Sequence, residues 1–223
     1  MAHAEFRSYQ RDQVVSFRKT TEDFGGLSNM APGFPIAMLG HLIRTSEALY
    51  QACRFPHMPD VQRMVIVETS PMTAKMKSKP YRKDTRPDWE DVRVPVMRWC
   101  LRVKLAQNWE TFSALLMATG DRPIVEDSRK DDYWGAKAAE DDLLAGRNVL
   151  GRLLMELREI VRSDPDRIAE VLPLDIPQFV LLGHQIPTIK RKMNVVPNQA
   201  QVRELTHSAA KKSARKSKQD VLL

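Results

Sequence analysis

Three groups of residues carry side chains and spacings that can do chemistry. The stretch Asp131-Asp132-Tyr133-Trp134-Gly135 sets two carboxylates and two large rings beside a glycine, shortly before the run GRNVLGRLLMELR at 146–158. By itself it reads equally as a solvent loop or as one wall of a pocket. Glu47, Tyr50, Gln51 and Arg54 fall at i, i+3, i+4 and i+7, so a helix there lines them up on one stripe. Spacing alone makes that stripe a solvated polar face. Lys104 shares a helical stripe with Met97 and Leu101. Apolar surroundings penalise the charged amine and lower its pKa, and a neutral amine is a nucleophile. The competing outcome is a four-carbon stem that carries the charge out to water.

The elements that must position these groups follow from pattern. QVVSF (13–17) predicts a short strand, the Gly-, Pro- and Ser-rich 22–35 a loop, and PIAMLGHLI (35–43) a hairpin turning near Gly40. Thr45 or Ser46 caps the helix that carries Glu47. Two short helices broken at Ser70-Pro71 follow, then a basic loop at 80–87. Asp88, with Asp91 three residues on, reads as the cap of a long helix through 108. Its middle is apolar nearly all round, the mark of a buried helix. WETFSALLMATG continues as helix to Gly120, and RPIVED predicts a strand. A polar loop then leads to a helix from Arg147 with Leu150, Leu153, Leu154, Leu157, Ile160 and Val161 on one face. Beyond Ser163 the chain predicts a short helix and an extended segment packed on the domain or on a partner. The basic, aromatic-free end of the chain predicts a disordered tail.

The totals narrow the class. A chain of 223 residues with 43% hydrophobic and 28% charged content suits one soluble domain plus an appendage. The formal net charge of +7 favours polyanions: nucleic acid, nucleotides or phosphorylated metabolites. Cys53 and Cys100 lie in apolar helical patterns and read as buried free thiols of a cytoplasmic protein. Neither a secretory leader nor a membrane-spanning run is predicted. There is no zinc-type spacing, Walker loop, GxGxxG, HExxH or GxSxG.

Taken in order, FGGLSNMAP, TSEALYQACRF, SPMTAKM, DWEDVRVPVMRWCLRVKLAQN, LLMATG, IVED, DDYWG and GRNVLGRLLMELR resemble the NADAR (NAD- and ADP-ribose-associated) family. The resemblance runs over residues 13–162. It implies a predominantly helical α+β YbiA-like (NADAR) domain, with 163–200 as a C-terminal extension and 201–223 as the tail. It also implies an enzyme, a hydrolase of N-glycosidic bonds, with no cofactor and no metal. Ser28 and Asn29 stand at the family's Ser-Asn loop, and Glu47, Tyr50 and Gln51 fit its Glu-His-Tyr-x-Gln pattern. Trp89 opens the long helix, and Lys104 matches the family lysine. Glu126, Asp131, Trp134 and Gly135 match the acidic-Trp-Gly segment, and Asn148 and Gly151 the Asn-x-x-Gly of the last helix. The chain departs from the pattern at Ala48 (a histidine in the family), at Arg54 (a lysine), and after Gly135, where AKAAEDDLLAG replaces a glycine-rich link.

Breaking a ribose C1–N bond passes through an oxocarbenium-like centre, which needs negative charge, help for the leaving nitrogen and an activated nucleophile. On the resemblance, Glu47 and Asp131 are the carboxylates for that centre, and Lys104 is the amine of an alternative imine route. Trp89 and Trp134 suit stacking on a base. Ser28, Asn29 and the helix N-terminus near Asn148 suit ribose or phosphate. Arg44, Arg54, Arg82, Lys83 and Arg98 are unranked phosphate candidates. The first substrate implied is ADP-ribose on guanine in nucleic acid, removed as reversal of a DarT-type toxin, with a toxin partner accommodated by the C-terminal extension. The second is a ribosylamino-pyrimidine phosphate of riboflavin synthesis, and the third role is a non-catalytic ADP-ribose binder.

Overall fold

A computed structural model describes residues 5–192. The predicted strand and hairpin form as β2 (Val15–Phe17), β3 (Ile36–Met38) and β4 (His41–Ile43), after a strand β1 (Arg7–Gln10) in what reads as a polar lead-in. Helices α1 (Ser46–Ala52), α2 (Pro59–Ile66) and α3 (Pro71–Ser78) follow. Thr45 caps α1, its hydroxyl accepting from the Ala48 N–H at 3.2 Å, and Ser70 caps α3 in the same way.

The long helix α4 (Trp89–Gln107) is the centre of the molecule, and Val96, Met97, Trp99, Cys100, Leu101, Val103 and Leu105 on it are buried. Burying each large apolar side chain contributes roughly 1.5–3 kcal/mol, so this helix dominates the core. Two local expectations fail here. Asp88 does not cap α4, because its carboxylate is held by the buried Arg86 guanidinium instead. Nor does the helix run on to Gly120. Asn108, at φ −131°, interrupts it, and α5 (Trp109–Met117) starts afresh.

β5 (Ile124–Glu126) pairs parallel with β2, setting Phe17 opposite Glu126. The polar loop before the last helix contains β6 (Lys137–Ala138) and β7 (Leu143–Gly146), which build an antiparallel sheet in the order β1-β7-β6. Strands of two to four residues are too short to show an alternating pattern. α6 (Val149–Ser163) buries Leu150, Leu153, Leu154, Leu157 and Ile160 against α4, α5 and β5.

Residues beyond α6 form a 3-10 turn (Pro165–Ile168) and the strands β8 (Glu170–Val171), β9 (Val180–Leu181), β10 (His184–Gln185) and β11 (Ile189–Lys190). This segment lies on the helices: Phe179 meets Trp99 edge-on at 4.9 Å, and Gln62 bonds the backbone of Val180 and Leu182. Its Ile168, Val171, Phe179 and Leu181 join the main core. Cys53 and Cys100 are buried free thiols. Among the described residues no helix is long and apolar enough to cross a membrane. The basic end of the chain expected to be disordered lies outside the described residues.

Candidate active site

The stripe on α1 faces inward. Glu47, Tyr50 and Gln51 are buried, so it is not the solvated face that spacing alone suggests. Glu47 is gripped from two sides: Asn29 Nδ2 donates to Oε2 at 2.6 Å, and Gln51 Nε2 to Oε1 at 2.9 Å. The Asn29 carbonyl in turn accepts from the Glu47 N–H at 2.9 Å and the Ser46 hydroxyl at 3.0 Å. The Ser-Asn loop and α1 are thus one rigid unit, and the carboxylate has a fixed direction.

Glu126 ends β5. Burial, reinforced by Asp131 and Glu47, pushes its carboxyl up to about 7, with Lys75 opposing. A buried acid beside two other carboxylates keeps its proton to higher pH because ionisation would add a third poorly solvated negative charge. Asp131 holds the DDYWG loop: its Oδ1 accepts the N–H groups of Tyr133 and Trp134, both at 2.9 Å. Among the described residues its Oδ2 has no hydrogen-bond donor.

These groups surround one cleft lined by Asn29, Glu47, Tyr50, Gln51, Glu126, Asp131 and Trp134, with Met30, Lys75, Met97 and Leu150 completing it. The cleft contains about 440 Å3 of empty space, its open mouth included. Half-buried Trp134 stands edge-on to Tyr50 at 5.7 Å, giving one aromatic wall. Burial and the neighbouring Glu47 push the Tyr50 hydroxyl far above its ordinary range, so it stays a neutral donor.

The other sequence-selected residues stand behind this lining. Trp89 is 6% exposed and packs against Tyr50 at 5.0 Å. Lys104 is 1% exposed, and its Nζ donates to the carbonyls of Gly26 at 2.6 Å and Ser28 at 3.0 Å, between the rings of Phe34 and Phe112. The expected lowering of its pKa by burial holds, and its stem does not carry the amine to water. The amine nevertheless faces the back of the Ser28 loop rather than the cleft.

Asn148 sits at φ 49°, with its Nδ2 donating to the Ile124 carbonyl at 2.8 Å and its Oδ1 accepting from the Glu126 N–H at 3.2 Å. It anchors the strand that presents Glu126. Gly151 and Gly135 allow close approach: a Cβ would come within 2.1 Å of the Ile124 carbonyl at Gly151, and within 2.5 Å of the Glu126 carbonyl at Gly135. The N-terminus of α6 is not an open anion site. Its N–H groups at Arg147, Asn148, Val149 and Leu150 donate to the carbonyls of Asp132, Gly135, Tyr133 and Trp134. The helix start is therefore satisfied by the DDYWG loop itself.

Sequence reasoning missed Lys75. It lies inside SPMTAKM, among four lysines in five alternating positions of 75–83, and reads there as one of many solvated charges. Its neighbour Ala74 is fully buried, the signal that this turn of α3 packs against something.

Comparison with known proteins agrees with this architecture. Residues 16–162 match the NADAR domain. The chain is 38% identical over 152 residues to N-glycosidase YbiA of Escherichia coli, covering 67% of this chain and 89% of that one. It is 33% identical over 176 residues to riboflavin biosynthesis protein VVA0006 of Vibrio vulnificus, covering 79% of this chain and 44% of that one. The NMR structure of E. coli YbiA superposes with a TM-score of 0.57 at 35% identity, covering 70% of this chain and 92% of that one. The fold is thus a YbiA-like α+β domain, and the chain belongs to the NADAR family.

Proposed function

We propose that this NADAR-family hydrolase of N-glycosidic bonds removes ADP-ribose from guanine in nucleic acid. The observation that carries the reading is the cleft itself: three carboxylates from three separate elements converge beside an aromatic wall. A ribosyl C1–N bond breaks with positive charge gathering on the sugar and negative charge on the leaving nitrogen. Glu126, protonated near neutral pH, donates to that nitrogen, and the C1–N electron pair leaves with the base. Glu47, its direction fixed by Asn29 and Gln51, faces the developing cation. Water adds to C1, and its proton passes to Asp131 Oδ2. The products are the free amine of the base and a ribose hydroxyl. Trp134 stacks on the base. A covalent route through an amine belongs in this cleft to Lys75, which lines it, and not to Lys104.

The nucleic-acid substrate is favoured by the exposed cations Lys75, Lys79, Arg82 and Lys83, which continue from the cleft along α3 and the following 3-10 helix (Lys79–Asp84). Such a strip attracts a phosphate backbone. A second reading, hydrolysis of a ribosylamino-pyrimidine phosphate, is favoured by the likeness to the riboflavin biosynthesis protein of V. vulnificus. Incubation of the full chain with each substrate, with product release followed by chromatography, tests both. Release of ADP-ribose from a guanine-modified oligonucleotide supports the first reading. Cleavage of the pyrimidine substrate alone replaces it with the second.

A further inference from the structure

A second hollow opens on the other side of α4. It is a trough between that helix and the segment that follows α6, with about 640 Å3 of empty space, its open mouth included. Arg98, Trp99 and Arg102 of α4 form one wall, and Arg167, Leu172 and Leu174 the other. At about 100° per residue, the α4 positions centre roughly 150° round the helix from Met97, which lines the carboxylate cleft. The two hollows share no lining residue. The outer wall lies beyond residues 16–162, so the trough is completed only outside the matched NADAR domain.

The trough is basic and apolar at once. Arg98 Nε donates to both Glu156 oxygens, at 3.1 and 3.0 Å, and Arg102 Nη2 shares the same carboxylate at 3.2 Å. Glu170 also lines the trough but is answered by Lys190 at 3.8 Å. Among the described residues no carboxylate pairs with the exposed Arg167, and Arg102 Nε is buried without a partner. One shared carboxylate therefore leaves the three arginines with positive charge in excess. Leu172 stands among them at 66% exposure, the highest of the large apolar side chains described. That exposure is held in place. Trp99 Nε1 donates to the Leu172 carbonyl at 3.0 Å, and Pro173 restricts the residue before it to extended backbone. A fixed, exposed aliphatic group ringed by arginines has the composition of a protein-binding surface. Nucleic acid is disfavoured, because the only aromatic ring in the lining is that of Trp99, 2% exposed and packed edge-on against Phe179. It offers no free face on which a base can stack.

We infer that this trough binds an acidic peptide segment of a partner protein. An aliphatic side chain of the peptide packs on Leu172 and Leu174, and the carboxylates flanking it meet Arg167 and the unused N–H groups of Arg102. Both halves of the contact are needed. An ion pair open to water contributes little, and the apolar contact excludes water from it. The inference is independent of the reaction in the cleft.

The test is fluorescence anisotropy at physiological salt, with the full-length protein and a fluorescein-labelled probe peptide of core sequence Glu-Asp-Leu-Asp-Glu. One control peptide carries Gln and Asn in place of the acids, and another carries Ser in place of Leu. The native protein binds the probe, and each control binds about 10-fold or more weakly. Arg167→Glu and Leu172→Ser each weaken probe binding by about 10-fold or more. Both side chains are exposed, so the melting temperature of either variant stays that of the native protein. Lys130→Glu makes the same change of charge on an exposed residue outside the trough, and salt screening holds its effect to about twofold. No binding by the native protein overturns the site. Equal losses in Lys130→Glu and Arg167→Glu, or a Leu-free peptide that binds as well as the probe, overturn it too, since net charge alone then explains the attraction. A single-stranded oligonucleotide that loses affinity on Arg167→Glu and Leu172→Ser, while the peptide does not, assigns the surface to nucleic acid and overturns the peptide site.

Discussion

The Lys104 Nζ lies 3.0 Å from the Ser28 carbonyl oxygen, and the residue after Ser28 is the asparagine that holds Glu47. A buried amine in the last turn of α4 is thus linked to the cleft through a loop, without lining the cleft. Lys104→Met keeps the volume and removes both donors. It leaves two buried carbonyls unpaired, at a cost of about 1–3 kcal/mol, and frees the Ser28–Asn29 turn. The expected result is a kcat lowered about 10- to 100-fold in a folded protein. Borohydride reduction during turnover, followed by peptide mass analysis, then finds residue 104 unmodified in the native enzyme. A reduced sugar adduct on Lys104 would contradict this geometry.

Glu126 sets a pH dependence with a definite sign. Its folded value of about 7 stands above the ordinary 4.5, so the proton needed for the leaving nitrogen is lost as pH rises through 7. The activity falls about 10-fold per pH unit on the alkaline limb, and Glu126→Gln removes that limb along with most of the rate. Stability follows the same proton. Between about 4.5 and 7 the folded state holds a proton that the unfolded state has released, so stability falls as pH rises across this window and stays lower above it. Thermal unfolding at pH 5 and pH 8 shows a loss of about 1–3 kcal/mol in the native protein that Glu126→Gln lacks. Equal pH responses of the two proteins would remove Glu126 as the titrating acid.

The two tryptophans singled out by the family pattern separate by position. Trp134, half-buried in the cleft wall, contributes by stacking, so Trp134→Ala raises KM by about 10- to 100-fold with little change in melting temperature. Trp89, buried behind Tyr50, contributes by packing, so Trp89→Ala costs about 3–5 kcal/mol of stability. Urea denaturation beside steady-state kinetics distinguishes them. A Trp89→Ala protein of unchanged stability and raised KM would reverse the assignment.

Much of this was legible in the chain, for physical reasons. The apolar stripe of α6, the Gly40 hairpin and the Ser70-Pro71 break are local signals, and each element forms there. Seven residues chosen from short motifs in order line one cleft. What was not legible depends on long-range partners. Lys104 is adjacent to nothing in sequence that announces two carbonyls 76 and 78 residues away. The α6 N-terminus reads as an open anion site until the DDYWG carbonyls are found occupying it. Asp88 reads as a cap because the competing Arg86 guanidinium is two residues upstream, not within the helix. Lys75 is hidden by its own kind, in a run of cations where only its place in the lining of the cleft distinguishes it.

Scission of a ribosyl C1–N bond in the carboxylate cleft is read in a single turnover, as release of ADP-ribose from an oligonucleotide bearing ADP-ribosylated guanine, by the native protein and by Glu47→Gln and Asp131→Asn. Unmodified guanine and free ADP-ribose are the expected products for the native protein, with rates at least about 100-fold lower for both variants. Intact substrate with the native, folded protein, or full release by both variants, would rule out these carboxylates as the groups that cut the bond.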